Sequence, residues 1–210
     1  MPLGRPLLIG LPPAVGIGAG LLSTQVAYAK SAQDWFDSGL DKAESGNLKG
    51  AIADFTKAIQ INPNYADAYN IRGDTKHDLE DYQGAIADYT KAIQINPNYA
   101  EAYFWRGDAK EQLKDYKGAI EDYTKAIEIN PNKAKLYYFR GDAKQNLKDY
   151  KGAIQDYTKA IVIDPLDLYF YSARAFLKVL MDDPQGACSD WKKAAELGDT
   201  EAAEFVRIEC

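Results

Sequence analysis

Residues of the kinds that commonly perform catalysis are scarce in this chain. His77 is the only histidine, and no cysteine or second histidine lies near it at the spacing of a metal site. No glycine-rich phosphate loop and no nucleophile-elbow motif is present. The sequence therefore predicts a protein that is not an enzyme and that holds no metal or cofactor, with His77 as a polar surface residue.

Two cysteines, Cys188 and Cys210, could form a disulfide or remain free thiols. They lack the C-x-x-C spacing of a redox-catalytic pair. If the chain turns at Gly198 and Asp199, the helices on either side run antiparallel and place the two cysteines at equal distances from that turn. We therefore expect a disulfide, which requires a compartment outside the cytosol.

Internal repetition organises most of the chain. The string Tyr-Thr-Lys-Ala-Ile begins at Tyr89, Tyr123 and Tyr157, so successive copies lie 34 residues apart. Small and apolar residues within each unit follow a helical period, which predicts two helices per unit. The segment Asn96-Pro97-Asn98 separates units, and Asp115 is a candidate N-cap between the two helices of one unit.

These units resemble the tetratricopeptide repeat, a helix-turn-helix motif with an aromatic, Gly, Ala, a second aromatic, Ala and Pro in that order. The resemblance implies an all-α, right-handed superhelical solenoid of five units within residues 30–210, followed by a closing helix. The expected units are residues 32–65, 66–99, 100–133, 134–167 and 168–199, and the closing helix is 200–210.

The helix-pair interior departs from the family pattern at two positions. The family has Leu before the Gly and an aromatic three residues after it, whereas this chain has basic residues at both places. These residues are Arg72, Arg106, Arg140, Lys76, Lys110 and Lys144. We expect their aliphatic stems to pack along the helix and their charged heads to reach water.

The family resemblance also implies a concave groove, lined by the first helix of each unit. Its expected lining is Phe36, Asn70, Asp74, His77, Glu101, Phe104, Asp108, Glu111, Tyr138, Asp142 and Gln145. Carboxylates interleaved with aromatics favour a basic or amphipathic peptide and disfavour an acidic tail. The alternative is that these acids form an ordinary solvated helix face.

Charge limits the class of partner further. The net charge of -6 and the pI of about 4.9 provide no basic stripe for phosphates, so we expect no nucleic-acid partner. We expect instead a non-catalytic scaffold that binds a protein or peptide, with assembly of an extracytoplasmic or membrane complex as one role for it. The alternative is a structural protein that assembles through its own repeats and makes no use of the groove.

Residues 1–29 have the pattern of a secretory signal. Arg5 precedes an apolar stretch, and Ala27-Tyr28-Ala29 matches a cleavage site. We therefore expect export to the periplasm or the cell exterior, or to the thylakoid lumen in a photosynthetic source. The alternative is an uncleaved anchor, and we expect membrane contact only through such an anchor or through a membrane-protein partner.

Overall fold

The computed structural model describes residues 30–210. The expected signal segment, residues 1–29, lies outside the described residues. Within the described part the chain forms eleven α-helices and no β-strand. The helices are α1 (Ala32–Glu44), α2 (Leu48–Ile61), α3 (Ala66–Asp78), α4 (Tyr82–Ile95), α5 (Ala100–Gln112), α6 (Tyr116–Ile129), α7 (Ala134–Asn146), α8 (Tyr150–Ile163), α9 (Leu168–Leu180), α10 (Pro184–Glu196) and α11 (Thr200–Glu209).

Each helix packs mainly against the helix before it and the helix after it in the chain. Helices α1 to α10 form five pairs, and α11 packs against α10. The predicted all-α repeat solenoid is therefore confirmed.

The turn within each pair follows from local chemistry. In the third pair, Lys114 adopts a left-handed backbone conformation with φ of 63°, which reverses the chain after α5. Asp115 is then the N-cap of α6, and its carboxylate accepts a hydrogen bond from the backbone N–H of Gly118 at 3.1 Å. Asp183 caps α10 in the same way, with Pro184 as the first helical residue. The cap predicted at Asp115 is therefore present.

A buried aromatic ring fills the space between the helices of each pair. The ring of Tyr123 is fully buried, and a Cβ atom added to Gly107 on α5 would lie 2.8 Å from it. Ala119 and Ala126 on α6 are fully buried beside this ring. Glycine is therefore needed on α5 because the ring of Tyr123 occupies the place of a side chain.

The basic residues of the odd-numbered helices do not extend into water, so that expectation was wrong. Arg106 donates from Nη2 and Nε to the two carboxylate oxygens of Asp122 at 2.6 and 2.9 Å, and Lys110 Nζ lies 2.7 Å from Asp122. Arg106 also donates to the hydroxyl of Thr90 in the preceding pair at 3.1 Å. Asp122 is almost fully buried, and a buried carboxylate requires such partners.

The same arrangement recurs along the solenoid. Asp88, Asp156 and Asp190 occupy the position of Asp122 in the second, fourth and fifth pairs. In each case the arginine connects the two helices of its own pair and also bonds to a threonine of the pair before it. The bidentate guanidinium–carboxylate contact therefore joins the two helices of one repeat, and the bond to threonine ties that repeat to the one before it.

Candidate partner-binding surface

The odd-numbered helices lie side by side and form one surface, which we call the odd-helix face. His77 Nε2 on α3 lies 2.6 Å from Asp108 Oδ2 on α5. Asn146 Nδ2 on α7 donates to Glu111 on α5 at 3.5 Å. These contacts cross between neighbouring repeats and bring His77, Asp108 and Glu111 together on the face that the sequence assigned to the groove.

Carboxylates of the odd-helix face are held by tyrosine hydroxyls from the even-numbered helices. Tyr89 donates to Asp74 at 2.8 Å, and Tyr157 donates to Asp142 at 2.6 Å and to Gln145 at 3.0 Å. Each tyrosine thus packs its ring between two helices and presents its hydroxyl to the odd-helix face. The same side chain supports the core and orients an acid on the surface.

Burial sets the charge state of these acids. Loss of hydration raises the pKa of Asp74 to about 6, against the opposing hydrogen bond from Tyr89. Loss of hydration also raises the pKa of Glu111 to about 7, with smaller contributions from neighbouring carboxylates. The pKa of Asp142 is raised by burial as well. A cation placed against these acids would stabilise their ionised forms.

Aromatic rings form the centre of the odd-helix face. The ring of Phe104 lies 4.9 Å from Trp105 and 5.1 Å from Phe139, measured between centroids. The ring of Tyr138 lies 5.6 Å from Phe139 and 5.3 Å from Phe170. This arrangement gives an apolar patch with edge-to-face and tilted ring contacts, next to the carboxylates.

An open cavity of about 580 Å³ lies between α5 and α7. Phe104, Trp105 and Phe139 line it, and Glu101 and Lys135 are at its margin. The sequence prediction included Phe104 and Glu101 but missed Trp105 and Phe139. Each of them directly follows a predicted groove residue in the sequence. The second unit has Ile71 at the equivalent position, so the change from Ile to an aromatic residue was a signal available in the sequence.

Asn70 does not belong to the accessible surface, which corrects its assignment to the groove. Its side chain is fully buried, and its Nδ2 donates to Asp74 at 3.4 Å. Asn70 therefore cannot contact a partner directly, although it supports Asp74. Its place in the second unit corresponds to Phe104 and Tyr138, whose larger rings extend to the surface.

The remaining predicted groove residues are partly or fully accessible. Phe36 is half-buried against the rings of Phe55 and Tyr65, at 5.6 and 5.0 Å. The exposed member of the predicted set is Glu101. Those that are partly buried are Phe36, Asp74, His77, Phe104, Asp108, Glu111, Tyr138, Asp142 and Gln145.

Cys188 and Cys210 form a disulfide, as expected, with a Cα–Cα distance of 5.7 Å. The bond joins α10 to the end of α11. Across residues 30–210, no group of three or more His, Cys, Asp or Glu side chains is arranged to hold a metal ion. No helix in that range has the length and apolar character needed to cross a membrane.

Comparison with protein families identifies the repeat. Tetratricopeptide repeat models match residues 39–79, 73–114, 100–133 and 134–167. Together these matches extend from residue 39 to residue 167, which is more than half of the 210-residue chain. No curated protein matches the chain.

Solved structures share the fold. A crystal structure of MamA is 27% identical, with a TM-score of 0.75, over 79% of this chain and 96% of that one. MamA from Desulfovibrio magneticus RS-1, residues 41 to the end, is 22% identical, with a TM-score of 0.76, over 83% of this chain and 100% of that one.

A third solved structure, YrrB, is described as a TPR protein with an unusual peptide-binding site. It is 18% identical, with a TM-score of 0.73, over 84% of this chain and 92% of that one. The repeat matches and the helix-pair architecture together show that this chain belongs to the tetratricopeptide repeat family.

Proposed function

We propose that this protein is a non-catalytic scaffold whose odd-helix face binds a basic or amphipathic segment of a partner protein. The distribution of charge carries this proposal. Asp74, Glu111 and Asp142 have no lysine or arginine partner within residues 30–210, whereas the arginines of the same helices are bound by buried aspartates. These carboxyl groups therefore lack an internal basic partner, and a partner cation would stabilise their ionised forms.

The mixture of groups on the face suits such a segment. Carboxylates attract lysine or arginine over several ångströms and speed the encounter. Rings such as Phe104 and Trp105 then offer an apolar contact for aliphatic stems or for an apolar side chain. Cation–π contact with a partner arginine adds to the same preference.

Differences among the middle repeats support recognition on this face. The even-numbered helices α4, α6 and α8 repeat Tyr-Thr-Lys-Ala-Ile without change. The odd-numbered helices differ at positions that line the face, with His77, Glu111 and Gln145 at one of them. The packed helices keep this string while an accessible position of the face changes, and this contrast fits a surface shaped for a target.

The fold comparison supports peptide binding only in general terms. YrrB carries a peptide-binding site on the same fold, at 18% identity. For this chain, the assignment of the site to the odd-helix face depends on the charges and rings described above. The proposal includes that the protein functions outside the cytosol. The signal pattern of residues 1–29 and the disulfide support this part of it.

A pair of charge reversals tests the proposal. Glu101→Lys places a cation on the odd-helix face, and Glu121→Lys makes the same charge change on an exposed position of α6. A fluorescein-labelled lysine-rich peptide is titrated against each protein by fluorescence anisotropy. We expect Glu101→Lys to weaken binding about three- to tenfold and Glu121→Lys to leave it nearly unchanged.

Either of two results would overturn the proposal. One is equal weakening by the two variants, which would mean that only net charge matters. The other is an affinity of the wild-type protein for the lysine-rich peptide no greater than for a glutamine-substituted peptide.

Self-assembly is the second candidate function, favoured by exposed apolar residues near the last repeat. Leu166 is 75% exposed and Tyr169 is 66% exposed. Exposed apolar side chains of this kind can pair two molecules. Sedimentation velocity across a range of protein concentrations distinguishes the candidates, because growth of the sedimenting species with concentration supports assembly and a constant monomer supports the scaffold.

A further inference from the structure

A second cavity, of about 340 Å³, lies at the C-terminal end of the odd-helix face. Its walls come from three helices: Phe176 and Val179 on α9, Trp191 on α10, and Phe205 on α11. Phe176 is 52% exposed, and Phe205 remains 46% exposed although its ring stacks on Trp191 at 4.8 Å. The cavity is thus an open apolar site among aromatic rings.

Two carboxylates lie beside this apolar cavity, and only one of them is free. Asp199 accepts hydrogen bonds from the hydroxyl of Ser172 at 2.5 Å and from the backbone N–H groups of Glu201 and Ala202, both at 3.0 Å. Its charge is therefore used to cap α11. Glu201 is exposed and has no lysine or arginine partner in the described chain, so it supplies negative charge at the rim.

The cavity lies one repeat beyond the acidic part of the odd-helix face. Phe176 on α9 occupies the place that Asp142 occupies on α7 and Asp108 on α5, one repeat apart in each case. Axes of packed neighbouring helices lie about 8–10 Å apart. A segment lying along the face therefore passes from carboxylates to the apolar cavity within a few residues.

The wall formed by α11 is tied to α10 by the disulfide. Ala202 is the only buried residue of this ten-residue helix, so α11 contributes little to the core. Ala202 and Val206 pack in the cluster around Trp191, Phe205 stacks on Trp191, and the bond between Cys188 and Cys210 fixes the end of the helix. A short helix with so little buried surface is easily displaced when a covalent tie is removed.

We propose that this cavity receives an apolar, preferably aromatic, side chain that lies next to the basic residues of the partner segment, and that the disulfide is required for the site to form. The inference rests on the proposed function of the odd-helix face and extends it. A second copy of this chain is the less suitable occupant, because the chain has a net charge of -6 and the cavity adjoins carboxylates.

Peptides and a matched pair of variants test the cavity. The probe is a fluorescein-labelled peptide in which a run of lysines is followed by a phenylalanine, compared with the same peptide carrying serine in place of phenylalanine. We expect the wild-type protein to bind the phenylalanine peptide about tenfold more tightly. Phe176→Ser should abolish this difference, whereas Val162→Ser, at a 70% exposed position of α8, should preserve it.

The disulfide is tested with Cys210→Ser and with wild-type protein in reductant. Both should lose the tighter binding of the phenylalanine peptide and keep the binding of the serine peptide. Circular dichroism melting of each variant verifies that the remaining helices are folded. A tenfold preference that persists in Phe176→Ser or in Cys210→Ser overturns the corresponding part of the inference.

Two further outcomes separate this inference from the proposed function. If the wild-type protein binds both peptides equally and Glu101→Lys weakens both, the cavity inference is wrong and the acidic face retains its function. If sedimentation shows a wild-type dimer that Phe176→Ser dissociates, the cavity is an interface between two copies and the inference is overturned.

Discussion

The aspartates that contact the helix pairs fall into two groups, one buried and one on the odd-helix face. Asp122 and its equivalents bind an arginine and a lysine below the surface, while Asp74 and Asp142 stay on the odd-helix face with tyrosine hydroxyls as donors and no lysine or arginine partner among residues 30–210. A buried carboxylate is tolerated because its partners compensate for lost hydration. The buried aspartates thus occupy these arginines and lysines, whereas Asp74 and Asp142 are without a basic partner.

Removal of one buried aspartate should destabilise the fold strongly. Asp122→Ala leaves Arg106 and Lys110 without their carboxylate, in an environment that is largely shielded from water. We expect a loss of about 3 kcal/mol in the free energy of unfolding, measured by urea denaturation. Glu121→Ala, on the exposed side of the same helix, is the control and should change stability by less than about 0.5 kcal/mol. A similar small change for both variants would contradict the role of Asp122.

The raised pKa of Glu111 should make stability depend on pH. Its pKa is about 7 in the folded protein, against an ordinary value of 4.5. Between these values the unfolded chain releases a proton that the folded protein retains, so stability falls as pH rises through this window. We expect Glu111→Gln, measured against wild type by urea denaturation at about pH 5 and about pH 8, to become relatively more stable at the higher pH.

The matched control is Glu121→Gln, whose side chain is exposed. Its stability relative to wild type should be the same at both pH values. If Glu111→Gln also shows no change between the two, the folded-state pKa of Glu111 is not raised.

At the scale of elements, each of the first four helix pairs is built around one ring and one glycine. Tyr157 on α8 lies against Gly141 on α7 much as Tyr123 lies against Gly107. Helices α4, α6 and α8 have nearly the same sequence, so this part of the solenoid has a regular interior, whereas the odd-numbered helices vary on the side that forms the face. The proposed recognition therefore belongs to the odd-numbered helices of the pairs.

Added volume at the ring–glycine contact should be costly. A Cβ atom at Gly141 would lie 2.5 Å from the ring of Tyr157, so Gly141→Ala forces the two helices apart. We expect a loss of about 1–3 kcal/mol in thermal or urea unfolding, although alanine has the higher helix propensity. The double variant Gly141→Ala with Tyr157→Leu should cost less than the sum of the two single changes. Additive costs would show that the contact is not the cause.

For the molecule as a whole, contacts run mainly between neighbouring helices, so the ends of the array are held from one side only. Stability in such a solenoid is approximately a sum of repeat and interface contributions. The final helix α11 therefore depends on its disulfide more than an interior helix depends on any single contact. The C-terminal cavity therefore lies at the part of the array that should respond most to reduction of the disulfide.

Hydrogen exchange should show that the terminal helices open more readily than the interior helices. We expect slow amide exchange in α4 to α7 and faster exchange in α1 and α11. In Cys210→Ser, exchange in α11 should accelerate about tenfold or more, with little change in α4 to α7. Mass spectrometry of the exchanged protein measures both regions at once. Uniform acceleration along the whole chain would indicate a single cooperative unit instead.

The sequence by itself determined the repeat, the helix pairs and the cap at Asp115, because these depend on periodicity and on local chain geometry. It placed several acids and rings on one face for the same reason. For Cys188 and Cys210 the sequence favoured a disulfide and left free thiols open. Only the tertiary structure decided that Arg106 pairs with Asp122, 16 residues away on another helix, and that Asn70 is buried.

The tertiary structure also decided that Phe104 and Phe139 meet across two repeats, that Trp105 lines the cavity beside them, and that α9, α10 and α11 line an apolar cavity. These features depend on which side chains from separate helices reach the same point. A helical period gives the direction of each side chain on its own helix, but the distance between helices is set by packing.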